Sequence, residues 1–407
     1  MSEKFDLVIR RAKLIDEAEP VDIAIRDNEI AMIEQSIEGA VVRELDAEGR
    51  LTLPGFVDAH MHLDHAFLGG DAKYSSRTIP ESERVIRSGR QAVDFEGLKE
   101  SARRAAKVAL RNGTTAVRSH VNVDKLFGLR ELKAMLELKK ECTDWLDIQL
   151  VAFPSGDPLT ELEESRALLR RAMELGAEVV GGQPNIDPDR EKYLDIIFDV
   201  ARDFDAKIDL HIDVSNNPKD QTLEIYADKA LEYGWEGRVA ASHCCALSVY
   251  PEDAAKRVIS KVKKAEMSII ANPFTNLYLI GEDGKPNGLT RVKELLDAGV
   301  NVACATDNIN DGYNALGNGD MLLAALFLAY QKHLGGKEAF ANIIKMGTIN
   351  PAKATGIIPN YGIKEGGRAD LLVLDAETPE EAIVFQARRL YVIKNGKVVV
   401  KDGRLTF

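Results

Sequence analysis

Cysteine is scarce in this chain: Cys142, Cys244, Cys245 and Cys304 are the only 4 in 407 residues, and no two form a C-x-x-C pair. A disulfide framework or a cysteine-rich structural zinc is thereby excluded, and buried free thiols are expected, with Cys304 lining an interior. Long apolar runs are also missing. None approaches the ~18 residues that cross a bilayer, and Met1-Ser2-Glu3-Lys4-Phe5-Asp6 has no apolar signal region. Basic excess is absent too, because the net charge is −12. A phosphate backbone or an anionic membrane needs the opposite sign. These absences lead us to expect a soluble, cytoplasmic protein with a small neutral or cationic substrate and neither nucleic acid nor membrane as partner. Several chemistries drop out as well, since the chain has no G-x-S-x-G elbow, no G-x-x-x-x-G-K-[ST] phosphate loop and no G-x-G-x-x-G after a first strand. The H-x-E and P-C-x-x-C motifs of the small nucleobase deaminases do not occur either.

What is present is ordinary globular material, 45% hydrophobic and 29% charged, enough for a large core. Short alternating segments open the chain at Asp6–Arg10, Val21–Ile25 and Ile30–Ile33, with turn chemistry at Asp27-Asn28. The same style closes it at Ala369–Leu374, Arg389–Ile393 and Val398–Val400, with a hairpin signal at Asn395-Gly396. We expect residues 1–54 and 358–407 to combine into one antiparallel β-sandwich.

Between them, 55–357 alternates strand-like and helix-like stretches. Strand runs fall before His60 and at Thr115–His120, Leu146–Ala152, Glu178–Gly181, Lys207–His211, Val239–His243, Ser268–Ala271 and Val300–Cys304. Helical periodicity follows most of them, as in Leu129–Leu136 or in Leu162, Leu169, Ala172 and Met173. Eight such units close most simply into a (β/α)8 barrel.

Barrel chemistry sits at the carboxyl ends of the strands. Five of the seven histidines, His60, His62, His120, His211 and His243, fall at or near such ends; His65 and His333 do not. In Pro54–His65 an apolar run leads into His60 and His62, and residues two apart on an extended chain share a face, so both imidazoles can reach one ion. A pair of loop histidines is the plainer reading of H-x-H alone. His211 closes strand five and adds a third imidazole, a set that suits Zn2+ or Fe2+. Asp307 follows strand eight, the neighbour of strand one in a closed barrel. It can complete the site and take a proton from water, or it can simply cap a helix. His243 ends strand six, within reach of the same point.

Pro54–His62, Asn350–Gly356 and Gly366–Asp370, with the two-ended sandwich and the barrel, resemble the amidohydrolase superfamily. Val117–Val121, Leu132–Glu137, Gln149–Pro154, Ala241–Cys244, Thr275–Leu279, Asn301–Ala303 with Thr306–Asn308, and Gly317–Leu322 are similar to its cytosine deaminase branch. The resemblance covers nearly the whole chain. It implies that His60, His62, His211 and Asp307 hold a divalent metal, with Asp307 and His243 catalytic, and that barrels of this kind associate as homo-oligomers. No lysine stands where strand four ends in Gly181-Gly182-Gln183, so one metal ion is expected and not a carbamate-bridged pair.

Departures from that pattern bear on the substrate. Val214 stands where cytosine deaminases keep a proton-shuttling glutamate, Ser155 replaces a glutamine that grips the pyrimidine, and Asn308 replaces an aspartate, with Tyr313 nearby. Gln183 offers its amide to substrate or is a turn residue. Protonation of the leaving nitrogen then falls to Asp307 or to a group such as Asp213, His65 or the substrate. The expected reaction is hydrolysis of a C–N bond, other than a peptide bond, in a small nitrogen heterocycle, by attack of a hydroxide that the metal supplies. Ammonia or an alkylamine leaves. The alternative is cyclic-amide or acyl-amide hydrolysis on the same metal.

Overall fold

The computed structural model describes residues 4–156, 158–280, 288–357 and 359–407. Eight parallel strands pair in chain order: Phe56–Met61, Thr114–Val123, Asp147–Pro154, Val179–Gly182, Lys207–Ile212, Val239–His243, Ser268–Ala271 and Asn301–Cys304. A parallel bridge between Met61 and Asp307 joins the last to the first, and the Asp307 N–H donates to the His60 carbonyl at 3.0 Å. The ring therefore closes beside the two histidines. Every residue of the first two strands is buried, as expected of parallel strands covered on both faces. Helices wrap the outside. In Glu163–Leu175 the buried residues include Leu169, Ala172 and Met173, and Gly176 in the left-handed region (φ 117°) ends the helix.

The two termini make two facing sheets. One runs Glu29–Glu34, Val21–Arg26, Lys4–Ala12, Ala40–Asp46; the other runs Arg404–Leu405, Lys397–Lys401, Arg389–Lys394, Leu371–Leu374, Thr52–Pro54. Leu7, Ile9, Ile23 and Ile25 of the first share a core with Leu371, Val373 and Ile393 of the second, so this is a sandwich drawn from both ends. Asn395 and Gly396 link their strands at φ 48° and 72°, the left-handed pair of a tight hairpin. One expectation needs correction. Ala40–Asp46 is an additional strand and pairs parallel to Lys4–Ala12, so the first sheet is mixed. It is an edge strand with most of its residues exposed, and it carries little apolar alternation to betray it.

All four cysteines are buried and free. Among the described residues no helix is long and apolar enough to cross a membrane.

Candidate metal centre

His60 lies inside the first strand and His62 just past its end, so their shared face turns both rings into the barrel mouth. His211 reaches the same point from the fifth strand. Asp307, beyond the eighth, has a left-handed backbone (φ 62°), a conformation that aspartate tolerates better than most residues, and its carboxylate faces the imidazoles. Its Oδ1 is 3.4 Å from His60 Nε2 and 3.5 Å from His62 Nε2, while His62 Nε2 is 3.2 Å from His211 Nε2. None of the four side chains is more than 7% exposed.

Among the described residues, His60 Nε2 and both Asp307 oxygens are buried without a hydrogen-bond partner. Buried lone pairs left unmatched are costly, and here they converge. His60, His62 and Asp307 form one group able to hold an ion, and His211 lies in a second group with His60 and His243; together they are a donor set that suits Zn2+ or Fe2+. The residues fit a divalent ion.

Charge states agree with that use. Burial, reinforced by neighbouring imidazoles, pushes His62 and His211 well below the usual histidine value, which keeps them neutral and able to ligate. Burial alone would raise Asp307, but the facing His60, His243 and His62 rings reverse that and hold its carboxyl well below the usual range.

His243 ends the sixth strand in the left-handed region (φ 70°), its ring 4.9 Å from that of His211 and 5.0 Å from that of His60. Its Nδ1 lies 2.8 Å from Asn276 Oδ1, and Asn272 Nδ2 lies 3.2 Å from its Nε2. The Asn276 carbonyl oxygen calls for a proton on Nδ1, which leaves Nε2 as an acceptor. Burial pushes its pKa down to about 4, so the ring is neutral at pH 7.

A family model for the Amidohydrolase family matches residues 51–399. The chain belongs to the amidohydrolase family. It is 36% identical over 99% of its length, and 99% of the relative's, to an N-isopropylammelide isopropyl amidohydrolase of Pseudomonas sp. (strain ADP). It is 28% identical to a pterin deaminase of Rhizobium rhizogenes, over 93% of this chain and 87% of that one. Among solved structures, a 5-methylcytosine deaminase from Klebsiella pneumoniae liganded with phosphonocytosine superposes with a TM-score of 0.90 at 31% identity, covering 97% of this chain and 98% of that one. Membership makes the protein a hydrolytic enzyme, similar to amidohydrolases and deaminases whose names point to small heterocycles.

In this amidohydrolase a cavity of about 580 Å3 opens over the four converging side chains. His62, His211, His243 and Asp307 line it, and so do Ser155, Gln183, Val214, Asn308 and Tyr313. Asp213 does not. The expectation that it meets the substrate is corrected: its oxygens accept from the N–H groups of Thr222 and Leu223 and from Asn185, tying the fifth-strand end to the start of helix Thr222–Glu232. Asn308 lines the cavity, yet its amide is engaged with Thr275 and Asp311. At the end of strand four a Cβ on Gly181 would stand 2.6 Å from Val151 Cγ1 and 2.8 Å from the Ala152 carbonyl oxygen, so no lysine fits at that position.

Two cavity residues carry more than the sequence reading gave them. His65 donates from Nδ1 to Asp311 at 2.9 Å and stacks on His62 with ring centroids 4.8 Å apart. Burial pulls its pKa down, but Asp64 and Asp311 outweigh burial and leave it raised. Arg90, from helix Ile79–Ala92, is bound to Asp124 at 2.6 Å and Glu131 at 3.0 Å and closes one wall. Nothing in local sequence marks Arg90. The sequence names His65 only as a candidate proton donor to the leaving nitrogen and does not foresee its tie to Asp311.

Proposed function

We propose that this amidohydrolase cleaves an exocyclic C–N bond of a small nitrogen heterocycle, cytosine deaminase-like in its chemistry, with one divalent ion held by His60, His62, His211 and Asp307. The observation that carries this reading is the convergence of those four side chains, with unmatched lone pairs, at the floor of the cavity. When bound, such an ion lowers the pKa of a water molecule from ~15.7 towards ~7. Asp307 has carboxylate oxygens without a hydrogen-bond partner among the described residues and would take a proton from such a water, and the neutral His243, whose Nε2 has Asn272 Nδ2 at 3.2 Å, faces the same point. Ser155 and Gln183 supply hydrogen bonds to the ring, and Val214 and Phe153 exclude water around it.

The leaving group is an alkylamine or ammonia. Val214, Ile79, Ile86 and Leu279 give the cavity an apolar flank, which accepts an alkyl substituent better than a bare amino group. The 36% identity to an enzyme named for N-isopropylammelide supports the same choice. The test is a metal-stripped protein reloaded with Zn2+ or Fe2+ and offered N-isopropylammelide, cytosine and a pterin, with amine or ammonia release as the readout. Release that depends on the metal is expected. His211→Ala should stay folded while losing both metal and turnover. Full metal retention with unchanged activity, or a ring-opened acid without amine, would sink the reading.

A further inference from the structure

Behind His60 runs a chain of buried polar side chains that the chemistry above does not use. His60 Nδ1 lies 2.9 Å from Ser242 Oγ, Ser242 Oγ lies 3.0 Å from Asp209 Oδ1, and Asp209 Oδ2 takes Arg118 Nη1 at 2.7 Å. Arg118 continues to Gln149 at 2.7 Å and to the Thr355 carbonyl at 3.1 Å. His60, Ser242, Asp209 and Arg118 are all 0% exposed and come from strands one, six, five and two. Such an arrangement spans the barrel interior and has no solvent to complete it.

Its polarity follows from which atoms can donate. Arg118 only donates, and a carboxylate paired with it only accepts. The Ser242 hydroxyl proton is therefore spent on Asp209, and its remaining lone pairs face His60. His60 must then carry its proton on Nδ1, which leaves Nε2 as a bare lone pair, and Nε2 is the unpartnered atom that faces Asp307. Among the described residues, the corresponding Nδ1 atoms of His62 and His211 have no hydrogen-bond partner. His120, whose ring centroid is 4.1 Å from that of His60, hydrogen-bonds to neither His60 nor Asp209.

We infer that Arg118, Asp209 and Ser242 fix the tautomer and orientation of His60, which makes Ser242 and Asp209 positioning residues for the metal and His60 the one ligand of the three histidines locked from behind. The inference rests on the proposed role of His60 as a ligand. Partners of this kind orient a ligand and typically contribute 10–100-fold to metal affinity.

The experiment uses the full chain, stripped and reloaded with Zn2+, in a chelator competition. Ser242→Ala is expected to bind zinc ~10–100-fold more weakly than wild type, with Ser242→Thr, which keeps the hydroxyl, recovering most of the loss. A second measurement needs no folded variant at position 242: imidazole nitrogen-15 spectra of the zinc-loaded wild type, with His60 assigned by His60→Asn, should show its proton on Nδ1. Wild-type protein that binds one zinc while Ser242→Ala binds it equally tightly overturns the positioning role alone, as does a His60 proton found on Nε2. A wild type that takes up no zinc overturns the ligand reading and this inference with it.

Discussion

Val214 is the residue we propose as the determinant of substrate choice. It borders the cavity in an apolar cluster with Leu279, Ile79 and Tyr313, three residues past a metal-facing histidine. A carboxylate introduced there would sit in apolar surroundings with its pKa raised, beside the activated water, where it can pass a proton to a ring nitrogen. Val214→Glu should lower kcat/KM on the native substrate by ~10-fold or more and raise cytosine deamination from nearly nothing. The gain is expected to be small, because Ser155 and Asn308 also differ from the cytosine-specific pattern. Steady-state kinetics on both substrates decide the matter. Strong cytosine turnover by the unmodified protein would show that another group already serves as the acid.

Among the elements, helix Met321–Lys332 shows how barrel and sandwich are joined. Its N-cap Asp320 accepts from the N–H groups of Leu322 and Leu323, and the same carboxylate binds Arg389 of the terminal sheet, a side chain only 8% exposed. Arg389 also donates to the carbonyls of Asn112 and Ala387, which fixes its guanidinium in place. Removing the carboxylate therefore costs more than a cap. Asp320→Ala should lose ~1 kcal/mol for the cap and a further ~1–2 kcal/mol for the guanidinium left without its anion, read as a lower urea midpoint at unchanged slope. Asp320→Asn keeps the cap and should lose less. Equal stability of Asp320→Ala and wild type would remove the helix from the list of interdomain ties.

For the whole molecule, the buried imidazoles set how stability responds to pH. His62, His120, His211 and His243 all have folded pKa values lowered by burial, His243 to about 4, whereas an unfolded histidine titrates near ~6.5. Between those values the unfolded chain binds more protons, so stability rises with pH and is lost as pH falls from ~6.5 towards ~4. Asp58, raised by burial to about 6, and Asp213 and Glu83, also raised by burial, act in the opposite sense over the lower part of that window, and His65, raised by Asp64 and Asp311, does so above ~6.5. The four lowered histidines set the sign because they act across the whole window, whereas the opposing groups act over parts of it. Denaturant titrations of the metal-stripped protein should show lower stability at pH 5 than at pH 7, on the order of 1 kcal/mol per pH unit for each lowered histidine before the opposing groups are subtracted. Stability that is flat or rising towards pH 5 would mean that the rings are charged in the folded state.

Sequence alone determined the eight strand-and-helix units of the barrel and the two-ended sandwich, and with the family resemblance it pointed to His60, His62, His211 and Asp307. The reason is periodicity: burial on both faces writes a continuous apolar run into each parallel strand, and a barrel puts the strand ends on one rim. Those signals are local and readable one segment at a time. Tertiary structure decided what depends on partners far apart in the chain. Ser242 meets His60 across 182 positions, and Asp311 meets His65 across 246. Asp213 looked like a substrate contact because it follows His211 by two residues, yet the left-handed turn at the strand end (φ 48°) and the open N–H groups at the start of helix Thr222–Glu232 claim its carboxylate. Ala40–Asp46 gave no apolar alternation because it lies at a sheet edge and keeps most of its side chains in solvent. A short polar side chain has several possible partners of similar strength, and only the folded chain selects among them.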